Sequence, residues 1–407
     1  MELRPILSAM RRNKVGAILI AVQMAITLAI LCNSLFIVQQ RLASSHRPSG
    51  MKEADVFVIT NQWVGNPTDL AARQQTDMDA LRSLPGVLGA YTTNSFPLSN
   101  GGQTEGCSLR PEQATPTARC AAYIADEQGL STMGVKLVAG RNFTPAEVTQ
   151  KAEGDQKLPV AVIITKELAD TLYRGQPAVG KTLYITYHGS GIPIVGVVER
   201  LQVPWVGAGG WGSTFFGNSV IAPFRYAAQY SHYVVRAKPG LIGATMEAAR
   251  EKLFDINRGR VVVKMQTMAE ARTEAYRDDR GLALVLCVVC VVLLAVTAFG
   301  IVGLTSYWVA QRRRQIGIRR ALGATQAAIV RYFQTENFII AAAGVILGVT
   351  LAIGLNLWMV NTFEMERLHL GYPIVGAIFV LILGQAAAFW PALRAASISP
   401  ALATRAA

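Results

Sequence analysis

Four stretches of this chain are free of charged side chains over lengths that can cross a hydrocarbon core, which takes about 20 helical residues. They are residues 15–38, 282–310, 338–360 and 371–390, the last interrupted near its start by Pro373 and Gly376. The stretch between the first two is polar and well mixed, long enough for one large or two small soluble domains. There the pattern shifts to short elements. A helix is predicted to continue from the first span over residues 39–47 as far as Pro48. Alternation at 55–60 predicts a strand, and 70–83 a helix ended by Pro85-Gly86. Residues 94–116, rich in Gly, Pro, Ser and Thr, read as an exposed loop. Beyond them come a strand at 160–164 and a helix at 166–173. Strands at 181–187 and 194–198 are joined by His188-Gly189-Ser190-Gly191. A helix at 246–254 and a strand at 261–264 follow. The polar helix 267–280 is expected to enter the second span without a break. The fold class is therefore an α-helical membrane protein with four transmembrane helices and an α+β extracytoplasmic domain inserted between helices 1 and 2.

Composition sharpens this reading. Hydrophobic residues make up 51% of the 407 and charged residues only 16%, below the quarter or so of a soluble domain. The net charge is +13, and its placement sets an orientation. Residues 1–14, the loop 310–337 and the tail after 390 together hold twelve basic and two acidic residues. The positive-inside rule puts all three in the cytoplasm, with both termini inside and the large domain outside. Topology accounts for the charge, so no nucleic-acid partner is implied. The first apolar core, 24 residues long, exceeds the roughly 7–15 of a signal peptide and reads as an uncleaved anchor. The expected segments are a cytoplasmic amphipathic helix (1–14), span and stalk (15–47), the outside domain (48–266), stalk and span (267–310), a cytoplasmic loop (311–336), spans at 337–360 and 371–390, and a cytoplasmic tail (391–407).

Candidate chemistry is sparse. Cys32, Cys287 and Cys290 lie within spans as small packing residues. Cys107 and Cys120 flank a Pro-rich loop in the outside domain, where the compartment is oxidising, and form a candidate structural disulfide. Residues 175–182, GQPAVGKT, match the phosphate-loop pattern, but a true phosphate loop follows a strand and opens a helix. Here the predicted order is helix, then strand. The GAGGWG at 207–212 precedes no helix. It sits in an aromatic-rich loop whose Trp205, Trp211, Phe215 and Phe216 either pack inside the domain or offer a partner an apolar contact. The histidines His46, His188, His232 and His369 lack metal-ligand spacing, and no catalytic constellation is present. The spans carry no Asp, Glu, Lys, Arg or His, which disfavours a proton-driven pump. Their polar residues (Gln23, Thr27, Asn33, Thr297, Gln385) and the Gly344, Gly348, Ala352 run suit helix packing.

The loop after the second span resembles the signature of the MacB/FtsX-type ABC-transporter permeases, a pattern close to QRxxEIGIRxALGA with a Glu near the third span. Here it reads Gln311, Arg312, Gln315-Ile316-Gly317-Ile318-Arg319, Ala321-Leu322-Gly323-Ala324 and Glu336. Pro391-Ala392, Arg394-Ala395-Ala396 and Ser399-Pro400-Ala401-Leu402 are similar to the family's closing motif. Residues 134–143, GVKLVAGRNF, resemble its GIxLxxGRxF, and Gly180-Lys181 with the strand at 194–198 resemble its GK and VVGV. One position departs, Gln315 standing where the family has Glu.

The resemblance implies a non-catalytic permease subunit of a bacterial inner membrane, paired with a second permease (another copy or a relative) and with an ABC ATPase subunit on the inner face. No cofactor is then bound by this chain, ATP and magnesium belonging to the ATPase. The loop acts as the coupling element, with Arg312, Gln315, Gly317, Arg319, Arg320, Leu322, Gly323 and Ala324 as contact residues. Basic and apolar residues on one helix can dock in a groove of a soluble partner. Arginines serving lipid headgroups alone would not need Ala-Leu-Gly-Ala. The implied function is export of a drug, peptide or lipophilic compound by mechanotransmission, with a periplasmic adaptor and outer-membrane channel as further partners. The alternative is a transmembrane signalling device that activates a cell-wall hydrolase or senses a peptide.

Overall fold

The structure, a computed structural model, describes residues 14–65, 67–185, 190–206, 213–363 and 366–397. The expected amphipathic helix before Lys14, the His188-Gly189 turn, Trp211 and the Ser399-Pro400-Ala401-Leu402 motif lie outside the described residues. The chain divides into a helical unit, Met1–Leu42 with Arg280–Ala407, and a mixed unit, Ala43–Asp279.

Helix α1 (Lys14–Ser45) continues beyond the apolar span and ends before Pro48. The mixed unit then runs β1 (Val56–Trp63), α2 (Leu70–Ser83), β2 (Val87–Thr93), β3 (Gln103–Ser108), β4 (Ala118–Ala125), α3 (Gly129–Met133), β5 (Leu137–Gly140), β6 (Thr149–Ala152) and β7 (Val162–Thr165). It goes on through α4 (Lys166–Tyr173), β8 (Thr182–Ile185), β9 (Gly191–Val198), β10 (Ser219–Ala227), β11 (Tyr230–Ala237), α5 (Ile242–Ile256), β12 (Arg260–Thr267) and α6 (Met268–Ala275).

Two sheets organise these elements. Strands β12, β1, β11 and β2 form a four-stranded antiparallel sheet. Strand β1 alternates between two cores: Phe57 and Ile59 face α2 and α5, while Val56 and Val58 face a larger cluster with Tyr91, Tyr123 and Ile221. In the second sheet β4, β3, β8, β9, β7 and β10 pair in turn, and β10 pairs back to β4, so the ladder closes into a barrel. Val162, Ile164, Leu183, Ile194 and Val220 of these strands form one buried cluster with Leu168 and Leu172 of α4. Closure removes unpaired strand edges.

A buried ion pair fixes α2 on the first sheet. Arg260 of β12 donates to both carboxylate oxygens of Asp77 at 2.7 Å, and the Tyr233 hydroxyl donates to Asp77 at 2.8 Å. Both charged side chains are fully buried, a geometry that requires bidentate pairing to offset desolvation.

Two sequence expectations need correction. The loop expected over 94–116 contains β3, whose QTEGCS sequence carries little strand propensity; pairing to β4 and β8 imposes the conformation. The helix expected to run unbroken from 267 stops at Ala275, and Tyr276 (φ −97°, ψ 14°) separates α6 from α7. The ring of Tyr276 is fully buried in the larger cluster and its hydroxyl accepts from Gln202 at 3.4 Å. The break is a packed joint.

The helical unit adds α7 (Arg277–Gln311), α8 (Arg313–Ala321), α9 (Gln326–Phe363) and α10 (Gly371–Ala396). Helices α1, α7, α9 and α10 are long and apolar enough to cross a membrane. α1 is the central one, 44% of its most apolar window being buried against 17% for α7. Gly344 and Gly348 explain the close approach of α9 to α1: a Cβ on either would lie 2.8–3.0 Å from the backbone of Ala21 or Ala25. Polar side chains join helices across the unit. Gln23 donates to the Val296 carbonyl at 3.0 Å, Thr27 and Thr297 share a 2.8 Å hydrogen bond, and Asn33 donates to Ala352 at 3.1 Å.

Candidate functional site

The basic segment after α7 folds into a compact hook. Arg312 (φ −100°, ψ 12°) interrupts the helix and starts α8. α8 ends in a Schellman turn: Gly323 at φ +96° donates to the Arg320 carbonyl at 3.1 Å and Ala324 to Arg319 at 3.0 Å. Thr325 then caps α9, its hydroxyl accepting from the Ala328 amide at 3.2 Å. Glycine meets the positive φ without the strain a Cβ would bring. The residues ALGAT therefore encode one tight reversal between two helices.

One face of α8 is seated. Ile316 and Gly317 are buried, and Ile316 packs with Val309, Ile329, Phe333 and Ala395. Arg312 donates to the Glu336 carboxylate at 2.8 and 3.1 Å, and that carboxylate is 3% exposed. The Arg320 guanidinium donates to the Ala396 carbonyl at 2.9 Å near the C-terminus of α10, where a cation suits the helix dipole. The Arg319 guanidinium lies 5.0 Å from the Tyr332 ring centroid.

This geometry divides the eight sequence-derived contact residues. Arg312 is half-buried against Glu336 and Gly317 is buried, while Arg320 is tied to α10. Gln315, Arg319, Leu322 and Gly323 face outward, with Ala324 half-buried. The exposed side also presents Arg313, Arg314 and Ile318, none of them among the eight. Leu322, 83% exposed at the apex, and Ile318, 47% exposed, lie four residues apart on a segment whose Arg313, Arg314 and Arg319 are also exposed. Helical phase carries this signal in the sequence, since Ile316 and Ile318 cannot share one face of a helix.

The mixed unit places the other candidates. Cys107 on β3 and Cys120 on β4 are joined as a disulfide, with Cα atoms 6.7 Å apart, within the usual range. Phe215 is 3% exposed and stacks edge-on with Trp205 at 6.3 Å, so of the two alternatives its ring takes packing inside the domain. Phe216 is half-buried beneath the Arg47 guanidinium at 4.9 Å. The 175–182 segment lies between α4 and β8, with Gly175 and Gly180 at positive φ and the Lys181 ammonium donating to Gln176 at 2.9 Å. A helix precedes it and a strand follows, the reverse of a phosphate loop. Among the described residues no group of His, Cys, Asp and Glu could hold a metal ion.

Comparisons with known proteins follow this division. Residues 15–255 match the MacB-like periplasmic core domain, and residues 287–400 the FtsX-like permease C-terminal model. The macrolide export ATP-binding/permease protein MacB of Pasteurella multocida is 25% identical over 87% of this chain and 52% of its own length. MacB of Chromobacterium violaceum is 26% identical over 66% of this chain and 40% of its own. The pyoverdine export ATP-binding/permease protein PvdT of Pseudomonas savastanoi is 29% identical over 64% of this chain and 40% of its own. The chain thus spans about half or less of the length of these relatives. With one family model covering more than half of the sequence and a second covering the helices around the hook, the chain belongs to the MacB/FtsX-type ABC-transporter permeases.

Proposed function

We propose that the hook formed by α8 is the seat of an ABC ATPase subunit, and that this chain is the membrane component of an exporter driven by that subunit. The observation that carries the reading is Leu322 at 83% exposure, held at the apex of a turn whose base is locked by Arg312–Glu336 and Arg320–Ala396. An apolar tip on a segment with exposed arginines fits an apolar pocket with an acidic rim, and the rigid base passes its displacement to α7 and α9.

Transmission outward runs along α7 to the Tyr276 joint. There Arg272 of α6 donates to both oxygens of Glu53 and to the Ser45 carbonyl at 2.9 Å, tying α6 to the end of α1. Burial raises the Glu53 pKa, but the Arg272 and Ser49 hydrogen bonds outweigh it and hold the carboxyl below its ordinary value. Within residues 43–279 the end of α1 and α6 are thereby held together. A second permease, a copy or a relative, completes the assembly. The hook and both termini lie in the cytoplasm and residues 48–266 in the periplasm of a bacterial inner membrane. The relatives are named for macrolide and pyoverdine export; for this chain the cargo class is a drug, peptide or lipophilic compound, delivered with a periplasmic adaptor and outer-membrane channel.

The test is co-purification of the ATPase subunit with the Arg319→Glu/Leu322→Glu double variant. Loss of the ATPase with unchanged membrane insertion is expected. Retention of the ATPase at wild-type ratio overturns the docking assignment.

A further inference from the structure

Within the mixed unit a cavity of about 530 Å³ opens between the first sheet, the loop after β2 and helix α6. Its size is that of a small-molecule site, typically about 300–1,000 Å³. The loop wall is built and held. Leu98 and Asn100 both adopt positive φ, 73° and 56°, and Leu98 is 3% exposed. Such conformations persist only where the surroundings over-determine them. Here the Ser95 and Ser99 hydroxyls both donate to the Gly101 carbonyl, and the Asn100 amide donates to Pro204 at 3.1 Å.

Three features of the lining define what would fit. Phe96 and Tyr230 stand edge-on to the His232 ring, with centroids 5.0 and 5.4 Å away, making an aromatic corner. The charges cancel: Lys264 and Glu274 pair with each other, and burial pushes the His232 imidazole down to about 4, leaving it neutral at pH 7. Gln266 lines the cavity at 9% exposure, and its neutral side-chain amide is the polar group set to pair with an amide of an uncharged ligand.

We propose that this cavity binds a small uncharged ligand carrying an amide group and an aromatic or aliphatic side group, the chemistry of a short end-blocked peptide. The site goes beyond the coupling role of α8 and does not depend on it. Its α6 wall, through Ala271 and Ala275, precedes the Tyr276 joint, so occupancy bears on the element leading to α7.

The full chain in lipid nanodiscs would be photolysed with a diazirine-bearing analogue of N-acetylphenylalaninamide and the adducts mapped by mass spectrometry. Adducts are expected within 94–102, 230–232 and 263–275, competed by N-acetylphenylalaninamide and not by its carboxylate counterpart. Gly101→Trp abolishes them, because a Cβ on Gly101 points into open space and the indole fills the cavity. Gln266→Leu weakens competition by about fivefold, the worth of one hydrogen bond; it decides the matter if Gly101→Trp melts below the wild type. Adducts that persist in both variants, that spread along the apolar helices, or that the carboxylate competes equally well overturn the proposal.

Discussion

Arg312 and Arg314 lie two positions apart in one basic run and do different work. Arg312 faces a carboxylate that is nearly inaccessible, while Arg314 is exposed. Removing one partner of a buried pair strands the other, at a cost of about 3–5 kcal/mol, whereas replacing both with apolar groups is often neutral. Arg312→Ala should therefore lower the thermal unfolding midpoint of the purified chain markedly, and Arg314→Ala should leave it unchanged. Arg312→Met combined with Glu336→Leu should restore most of the loss. A midpoint unaffected by Arg312→Ala would mean that the pair is a surface contact. The sequence made the charge and the apolar tip of this site legible. It did not separate anchors from exposed arginines, because that depends on the one-residue break at Arg312 and on Glu336 facing it from another helix.

At the scale of elements, legibility followed how far a segment specifies its own conformation. Helices α2 and α4 form over the residues read from the sequence, since the helical spacing of their buried positions (Gln74, Asp77, Met78 and Leu81; Leu168, Ala169 and Leu172) is local. Strand β3 was invisible because its neighbours impose it. The break at Tyr276 was invisible because the residues on both sides favour helix and burial of one ring sets the joint. The small-residue run in α9 was read as packing, and the structure shows against what. Gly348 meets the Ala25 backbone, whereas Gly354 on the same helix has open space. Gly348→Leu should separate α9 from α1 at an overpacking cost of about 1–3 kcal/mol, seen as faster trypsin cleavage in detergent. Gly354→Ala should be neutral or slightly stabilising, since alanine favours helix over glycine by up to about 1 kcal/mol. Equal protease sensitivity in the two variants would remove the close-packing account of Gly348.

For the whole molecule, two features constrain topology independently. The arginines of the hook belong on the side where positive loops are retained. The Cys107–Cys120 disulfide belongs in an oxidising compartment. In sequence they are separated by a single helix long and apolar enough to cross a membrane: α7 has 35 residues and at 1.5 Å per residue extends about 52 Å, well beyond a hydrocarbon core of about 30 Å. An odd number of crossings between two segments puts them on opposite faces, so either feature alone predicts the location of the other. The check uses single-cysteine reporters in a background whose three free cysteines, Cys32, Cys287 and Cys290, are changed to alanine. Lys136, whose side chain is 74% exposed, reports for the mixed unit as Lys136→Cys, and Arg314→Cys reports for the hook. With a membrane-impermeant maleimide on spheroplasts, Lys136→Cys should label at once and Arg314→Cys only after permeabilisation. Labelling of both before permeabilisation would break the assignment of α7 as a span, and the reverse pattern would place the docking hook where no ATP is available.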